Sequence, residues 1–294
     1  LSIRRQRQMC IRDRFYGGDL AGIRSRLAYI ADLGVGGIYL NPILWSDSNH
    51  RYDTIDYHSV EPDIGTEEEL KTLIAEAHAL GLRVMIDAVF NHCGAKCALW
   101  QDVLEKGPQS DYYHWFCVNR WPIDAQTHAT KRGDYFSFAF VDNMPKFDTS
   151  EPDVMEYLTG IAKHWVCDWK VDGIRFDVGN EISHAFLKHL RLELKKCNPK
   201  LFLLGEIWHD AFPWLLGDEY DSTMNYPFLA CVNNFWADKT QSGTDFMHGI
   251  NQCYSMYYEQ VNRVLFNLLD SHDTDRLMER CHGNADMFLA QLTV

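Results

Sequence analysis

Four hydrophobic runs in the sequence each end in a carboxylate: Val84-Met85-Ile86-Asp87, Gly173-Ile174-Arg175-Phe176-Asp177, Leu201 through Glu206, and Leu265 through Asp270, the last followed by Ser271-His272-Asp273. Short, near-continuous apolar runs of this kind are what strands buried on both faces of a parallel sheet require. If helices separate them, their last residues all lie at the C-terminal face of one barrel, where folds of this type do their chemistry.

Helical patterns do separate them. After Asp19, a helix N-cap, apolar residues at Leu20, Ile23, Leu27, Ile30 and Leu33 recur at helical spacing until Gly34, and Gly37-Ile38-Tyr39-Leu40 reads as a strand. Thr66-x-x-Glu69 is a capping box that opens a second helix through Leu80, closed by Gly81 before the strand ending at Asp87. A third helix starts near Ser150 with Pro152 in its first turn and turns Leu158, Ile161, Trp165, Val166 and Trp169 inward. A fourth, Ser183 through Lys196, uses Phe186, Leu187, Leu190 and Leu194 and precedes the strand ending at Glu206. A short strand over Thr223 to Phe228 and the run ending at Asp270 complete the alternation, which predicts parallel βαβ units. The expected fold is α/β, a (β/α)8 TIM barrel of which about six strands can be counted, the first and eighth being absent.

Residues 93–149 break the rhythm, holding Trp100, Tyr112, Tyr113, Trp115, Phe116, Trp121, Tyr135, Phe136, Phe138, Phe140 and Phe147 without a helical period. A structureless loop of that length is rare, so a small inserted subdomain with an aromatic core is expected after the third barrel strand. The expected domains are therefore a barrel from 15–92 and 150–294 with an insertion at 93–149. Residues 1–14, LSIRRQRQMCIRDR, carry five arginines and little periodicity, and are read as a non-native or disordered leader. The chain stops at Val294 inside a helical pattern, so a fragment of a longer protein is expected.

At 294 residues and 46% hydrophobic, the chain is long enough to bury a large core. A net charge of −13 argues against nucleic acid and anionic membrane surfaces as partners, and no run approaches the ~20 apolar residues of a membrane span. Nine cysteines without paired CxxC sets predict buried, reduced thiols and a cytoplasmic protein rather than a disulfide framework. Cys93 and Cys97 beside His92 are too loosely spaced to read as a metal site, and no metal is assigned.

Two carboxyl groups suffice to cleave a glycosidic bond, one as acid and one as nucleophile or base. Asp177 and Glu206 are placed for that pair. Arg175, two residues before Asp177, lies on the same strand face and would keep it charged, while Glu206 between Gly205 and Ile207-Trp208 sits in apolar company that favours a proton-donating carboxyl. For any one acid a helix cap or surface ion pair is the ordinary role; four at corresponding strand ends outweigh it. His92 and His272, ordinarily core or loop residues, directly follow two of these strands and are read as ligands of sugar hydroxyls.

The segments Asp87-Ala88-Val89-Phe90-Asn91-His92, Gly173 through Asp177, Gly205-Glu206-Ile207-Trp208 and Phe266 through Asp273 resemble, in order, the four motif regions of the α-amylase family, glycoside hydrolase family 13. Met144-Pro145-Lys146-Phe147, Asp177-Val178-Gly179-Asn180-Glu181 and GEIWHDAFPWLLGDEYDSTMNYPF from Gly205 to Phe228 are similar to the neopullulanase, cyclomaltodextrinase and maltogenic amylase branch, departing from it at Phe147-Asp148 and Gly179. The resemblance implies Asp177 as nucleophile, Glu206 as acid/base and Asp273 as third carboxylate. It places Arg175, His92, His272, Asp87, Trp208 and Glu181 among the substrate-binding residues, and Tyr52 under the sugar. The implied activity is retaining hydrolysis of α-1,4 glucosidic bonds, with α-1,6 bonds as a second candidate, in maltooligosaccharides, cyclodextrins or pullulan, with transglycosylation as a side reaction. No cofactor is required. Structural calcium occurs in many relatives, and Asn91 matches a position used in some, but none is predicted. The implied parent is a homodimer. The alternatives are a noncatalytic amylase-like protein, an inactive fragment of the enzyme, and a metal-dependent barrel hydrolase using His92 and His272.

Overall fold

The computed structural model describes residues 17–124 and 129–293. The leader expected over 1–14 lies outside the described residues. The chain divides into two compact units, one of residues up to 177 together with 181–202, the other of 178–180 together with the residues from 203 on.

The first unit opens with α1 (Leu20–Arg24) and α2 (Leu27–Asp32), then β1 (Gly37–Leu40), a hairpin of β2 (Leu44–Ser46) and β3 (Thr54–Val60), α3 (Glu67–Ala79), β4 (Arg83–Ala88) and α4 (Ala98–Lys106). It closes with α5 (Pro152–His164), β5 (Gly173–Phe176) and α6 (His184–Cys197). β1, β4 and β5 form a parallel sheet in which Leu40 faces Ile86 and Asp87 faces Arg175. Val84, Ile86, Ile174 and Phe176 are fully buried, as strands covered on both faces must be.

Local signals account for the helices. Asp19 caps α1 through Gly22 N–H at 2.6 Å, Thr66 and Glu69 form the reciprocal capping box of α3, and Gly81 at φ +77° ends that segment. Pro152 occupies the first turn of α5, and Phe186, Leu187, Leu190 and Leu194 of α6 are buried. Two details differ from expectation. The single helix predicted after Asp19 is broken at Ser25, whose hydroxyl turns back to the Gly22 carbonyl at 2.7 Å, and Leu33 is 60% exposed. α5 also loosens into a π-helical turn over Trp165–Trp169, which still buries Trp165, Val166 and Trp169.

Among the described residues of 93–149, Trp100 lies 4.9 Å from Phe116 and 4.7 Å from Tyr135, and Phe116 stacks on Phe147 at 5.0 Å. Beyond α4 they hold turns and isolated bridges, among them His92–Lys146 and Phe116–Phe147. Phe136 and Phe140 point outward, at 53% and 67% exposure.

The second unit runs through β6 (Phe202–Gly205), β7 (Ser222–Thr223), α7 (Tyr226–Trp236), α8 (Gly243–Ser255), α9 (Glu259–Asn262), α10 (Leu277–Arg280) and α11 (Ala285–Leu292). β6 and β7 are parallel, Gly205 facing Thr223. The strand expected over Thr223 to Phe228 stops after Thr223, because Asn225 accepts the Phe228 N–H and Pro227 enters the first turn of α7. Among the described residues, the run ending at Asp270 makes a single isolated parallel bridge, Met224–Phe266, and side chains take the ladder's place: Phe266 N–H donates to Ser222 Oγ at 2.9 Å and Asn225 Nδ2 to Asn267 Oδ1 at 2.8 Å. Phe228, Val232 and Cys253 form one core cluster of this unit, with Trp236, Phe246, Ile250 and Leu269 against it.

The cysteines depart in part from uniform burial. Cys93, Cys97, Cys231, Cys253 and Cys281 are buried free thiols, whereas Cys117, Cys167 and Cys197 are half-buried. Among the described residues, no helix is long and apolar enough to cross a membrane.

Candidate active site

In the first unit the chemistry gathers at the C-terminal ends of β4 and β5. Parallel register sets Asp87 directly beside Arg175. Arg175 Nη1 donates to both oxygens of Asp87, at 3.0 and 2.9 Å, and to Asp177 Oδ1 at 2.9 Å. The guanidinium is fully buried, Asp87 is 1% exposed and Asp177 7%. Burial opposes the arginine's charge, but Asp87, Tyr39, Asp177 and Tyr52 more than offset it, so the group is held well above its ordinary pKa. One permanent cation is thereby shared by two carboxylates.

Two tyrosines complete this network. Tyr52 Oη donates to Asp87 Oδ2 at 2.9 Å, and its ring lies under the guanidinium, 5.8 Å from the centroid. Tyr39 Oη donates to the same Asp87 oxygen. Burial first, then the Asp87 charge, pushes both phenols far above their usual pKa, so they remain donors. Tyr39 is absent from the residues picked out by sequence; the available signal was a lone polar side chain in the apolar strand Gly37–Leu40.

His92 is fully buried, with Nε2 2.9 Å from the Tyr52 carbonyl and its ring stacked on Phe138 at 5.0 Å. A carbonyl only accepts, so the proton sits on Nε2 and Nδ1 is left to accept from Asn91 Nδ2 at 3.3 Å. Burial lowers its pKa to about 4, with the Tyr52 contact opposing and Lys146 adding to the shift, so the ring is neutral. Glu181 is ion-paired with Lys146 at 2.6 Å, with 43% of its side chain exposed.

In the second unit Glu206 follows β6 and is 6% exposed. The Val178 N–H donates to its Oε2 at 2.9 Å and Trp208 Nε1–H to its Oε1 at 3.1 Å. The apolar company expected from sequence is therefore joined by two N–H donors. Trp208 is 50% exposed and lies flat on Tyr226, with ring centroids 3.7 Å apart and 9° between planes. His272 Nε2 and Asp273 Oδ2 are 3.2 Å apart, on a turn where Asp273 N–H also meets Ser271 Oγ at 3.2 Å. Asp270, the formal end of the last run, accepts from the Leu277 N–H at 2.6 Å at the start of α10, a structural use. Among the described residues, no group of three or more His, Cys, Asp or Glu side chains is arranged to hold a metal ion.

The comparison with known proteins gives the class of the chain. Residues 5–293 match the family described as alpha amylase, catalytic domain, and the chain belongs to that family, whose fold is the (β/α)8 barrel. It is 46% identical over 283 residues to a cyclomaltodextrinase of Geobacillus thermopakistaniensis, covering 95% of this chain and 47% of that protein. It is 43% identical over 277 residues to neopullulanase 2 of Thermoactinomyces vulgaris, covering 94% and 46%. Among solved structures, the cyclic α-maltosyl-(1→6)-maltose hydrolase of Arthrobacter globiformis superposes with a TM-score of 0.89 at 35% identity, over 95% of this chain and 63% of that one. The chain spans about half the length of the curated relatives it matches.

Proposed function

We propose that this chain is the catalytic domain of a retaining α-glucan hydrolase acting on cyclodextrins, maltooligosaccharides or pullulan. The observation that carries the reading is Asp177 Oδ1 at 2.9 Å from the buried Arg175 Nη1, which leaves a charged carboxylate at a strand's C-terminal end. A carboxylate so held is a nucleophile: its oxygen attacks the anomeric carbon as Glu206 gives a proton to the departing glycosidic oxygen, forming a covalent β-glucosyl ester. Glu206 then takes a proton from water, whose oxygen displaces Asp177 and restores the α configuration. Asp273 and His272, with Tyr52 and Trp208, hold the sugar in this reading, His92 acting instead through its Nε2–H on the Tyr52 carbonyl, and transglycosylation follows when a sugar hydroxyl replaces the water.

The domain reading is that 93–149 form a subdomain inserted after the third barrel strand, and that the parent protein is a homodimer. Eight free thiols among the described residues support a reducing compartment such as the cytoplasm. No metal enters the chemistry, so a chelator should leave turnover unchanged.

The test is product analysis with β-cyclodextrin, pullulan and starch, together with NMR of the first-formed anomer. Cleavage of cyclodextrin or pullulan faster than starch, giving the α-anomer first, is expected. A folded protein that cleaves none of them returns the chain to the noncatalytic alternative, and a β-anomer first product removes the covalent intermediate.

A further inference from the structure

Val178 holds a backbone conformation that its side chain disfavours. Its φ is +48°, in the left-handed region, and it is a β-branched residue only 9% exposed. There Cβ crowds the following carbonyl, and such a conformation persists only where surrounding contacts over-determine it.

Two of the contacts that do so run to Glu206. Val178 N–H donates to Glu206 Oε2 at 2.9 Å, and Gly179 N–H donates to the Glu206 main-chain carbonyl at 3.0 Å. Tyr220 Oη closes the turn on the Gly179 carbonyl at 3.0 Å. Gly179 has no room for a side chain, since a Cβ would lie 2.9 Å from Tyr220 Oη and 3.2 Å from Glu206 N. The strained residue thus sits in a rigid turn with its N–H aimed at one chosen oxygen of the carboxyl.

That choice has a chemical consequence. A carbonyl oxygen accepts an N–H well, whereas the hydroxyl oxygen of a protonated carboxyl must keep a direction clear for its own hydrogen. The donor on Oε2 is main chain and cannot turn away. The donor on Oε1 is the indole of Trp208, a side chain that is 50% exposed. Resting on the acid/base reading of Glu206 above, we propose that Val178 is a positioning residue whose strained amide fixes Oε2 as the carbonyl oxygen, so that Oε1 carries the transferable proton. The proton leaves Oε1 as the bond from the anomeric carbon to the glycosidic oxygen breaks, and one of water's protons returns to Oε1 in the second step.

The direct test replaces Val178 by its hydroxy-acid analogue, 2-hydroxy-3-methylbutanoic acid, which exchanges the N–H for an ester oxygen and keeps the side chain. Maltotriose needs a proton on its leaving oxygen, whereas maltosyl fluoride needs little. The ester variant is expected to lose about 10- to 100-fold in kcat/KM on maltotriose, part of what a positioned acid supplies, and under ~3-fold on maltosyl fluoride, with KM unchanged for both. Equal losses on the two substrates would mean a merely structural role, and no loss on either would mean that the amide is immaterial; each overturns the inference. A Glu206→Gln control separates this from the parent reading: undiminished maltotriose hydrolysis by that variant removes the acid assignment itself. If the ester variant does not fold, 15N-valine labelling of the unsubstituted chain provides the second test. With glutamate 13C-labelled as well, a scalar coupling across the hydrogen bond should join the Val178 amide nitrogen to the Glu206 carboxyl carbon, and its absence overturns the inference.

Discussion

Arg175 reaches Asp87 through a single nitrogen, Nη1, which lies 3.0 and 2.9 Å from the two carboxylate oxygens although the residues are 88 positions apart in the chain. The same nitrogen serves Asp177, so Asp87 and the proposed nucleophile compete for one buried cation. Removing either Asp87 or Arg175 leaves a charge that water cannot reach.

Asp87→Asn should therefore cost about 3 kcal/mol, the scale on which breaking a buried ion pair destabilises a fold. The check is urea unfolding, read as a lower midpoint with an unchanged slope. A change below about 1 kcal/mol would mean that Asp177 alone satisfies the guanidinium.

Asp177→Asn keeps the side chain's shape and removes its ability to attack. Turnover of β-cyclodextrin should fall by about 10³-fold or more, the scale seen when a nucleophile is removed, while binding measured by calorimetry is retained. Ready hydrolysis by this variant would remove Asp177 from the nucleophile's role.

His92 makes stability pH-dependent with a definite sign. Its pKa is about 4 in the folded protein, below the ordinary 6.5, because burial disfavours the charged ring. Above pH 6.5 both states are neutral and nothing is lost. Between pH 6.5 and 4 only the unfolded chain takes up the proton, so stability should fall by about 3 kcal/mol as the pH is lowered across that window. Unfolding midpoints measured from pH 7.5 to 4 should fall more steeply for the native chain than for His92→Gln, and parallel curves would exclude His92 as the source.

Gly205 faces the ring of Tyr220, where an added Cβ would come within 2.5 Å of two ring carbons. Gly205→Ala should cost about 2 kcal/mol through overpacking, read from thermal or urea unfolding. Because Tyr220 also holds the Gly179 carbonyl, turnover should drop in the same variant; an unchanged midpoint would show that the ring has room to move.

Much of this is legible in the sequence. β4, β5 and β6 follow from apolar runs bounded by turn residues, and α3, α5 and α6 from caps and a 3.6-residue period, all of which act within a few positions of the chain. Asp87, Arg175 and Asp177 share one network because a parallel register carries strand-end residues to the same place. The run to Asp270 is equally apolar, yet among the described residues it makes a single bridge, and a strand exists only where a neighbour completes its hydrogen bonds. The helix from Tyr226 was hidden in a segment whose β-formers outweighed the cap at Asn225 and the proline after it.

Sequence alone determined the chemical inventory and its order: three carboxylates, an arginine two residues before one of them, and the helices that turn the chain back between strands. Tertiary structure decided which atoms meet. It put Tyr39 on Asp87, gave Arg175 Nη1 to two acids, set Asp270 to cap a helix, and forced Val178 to φ +48° with its N–H on Glu206. Side-chain pattern and capping are properties of neighbours along the chain, whereas a hydrogen bond is sensitive to tenths of an ångström between residues brought together only by packing, and no local pattern carries that distance.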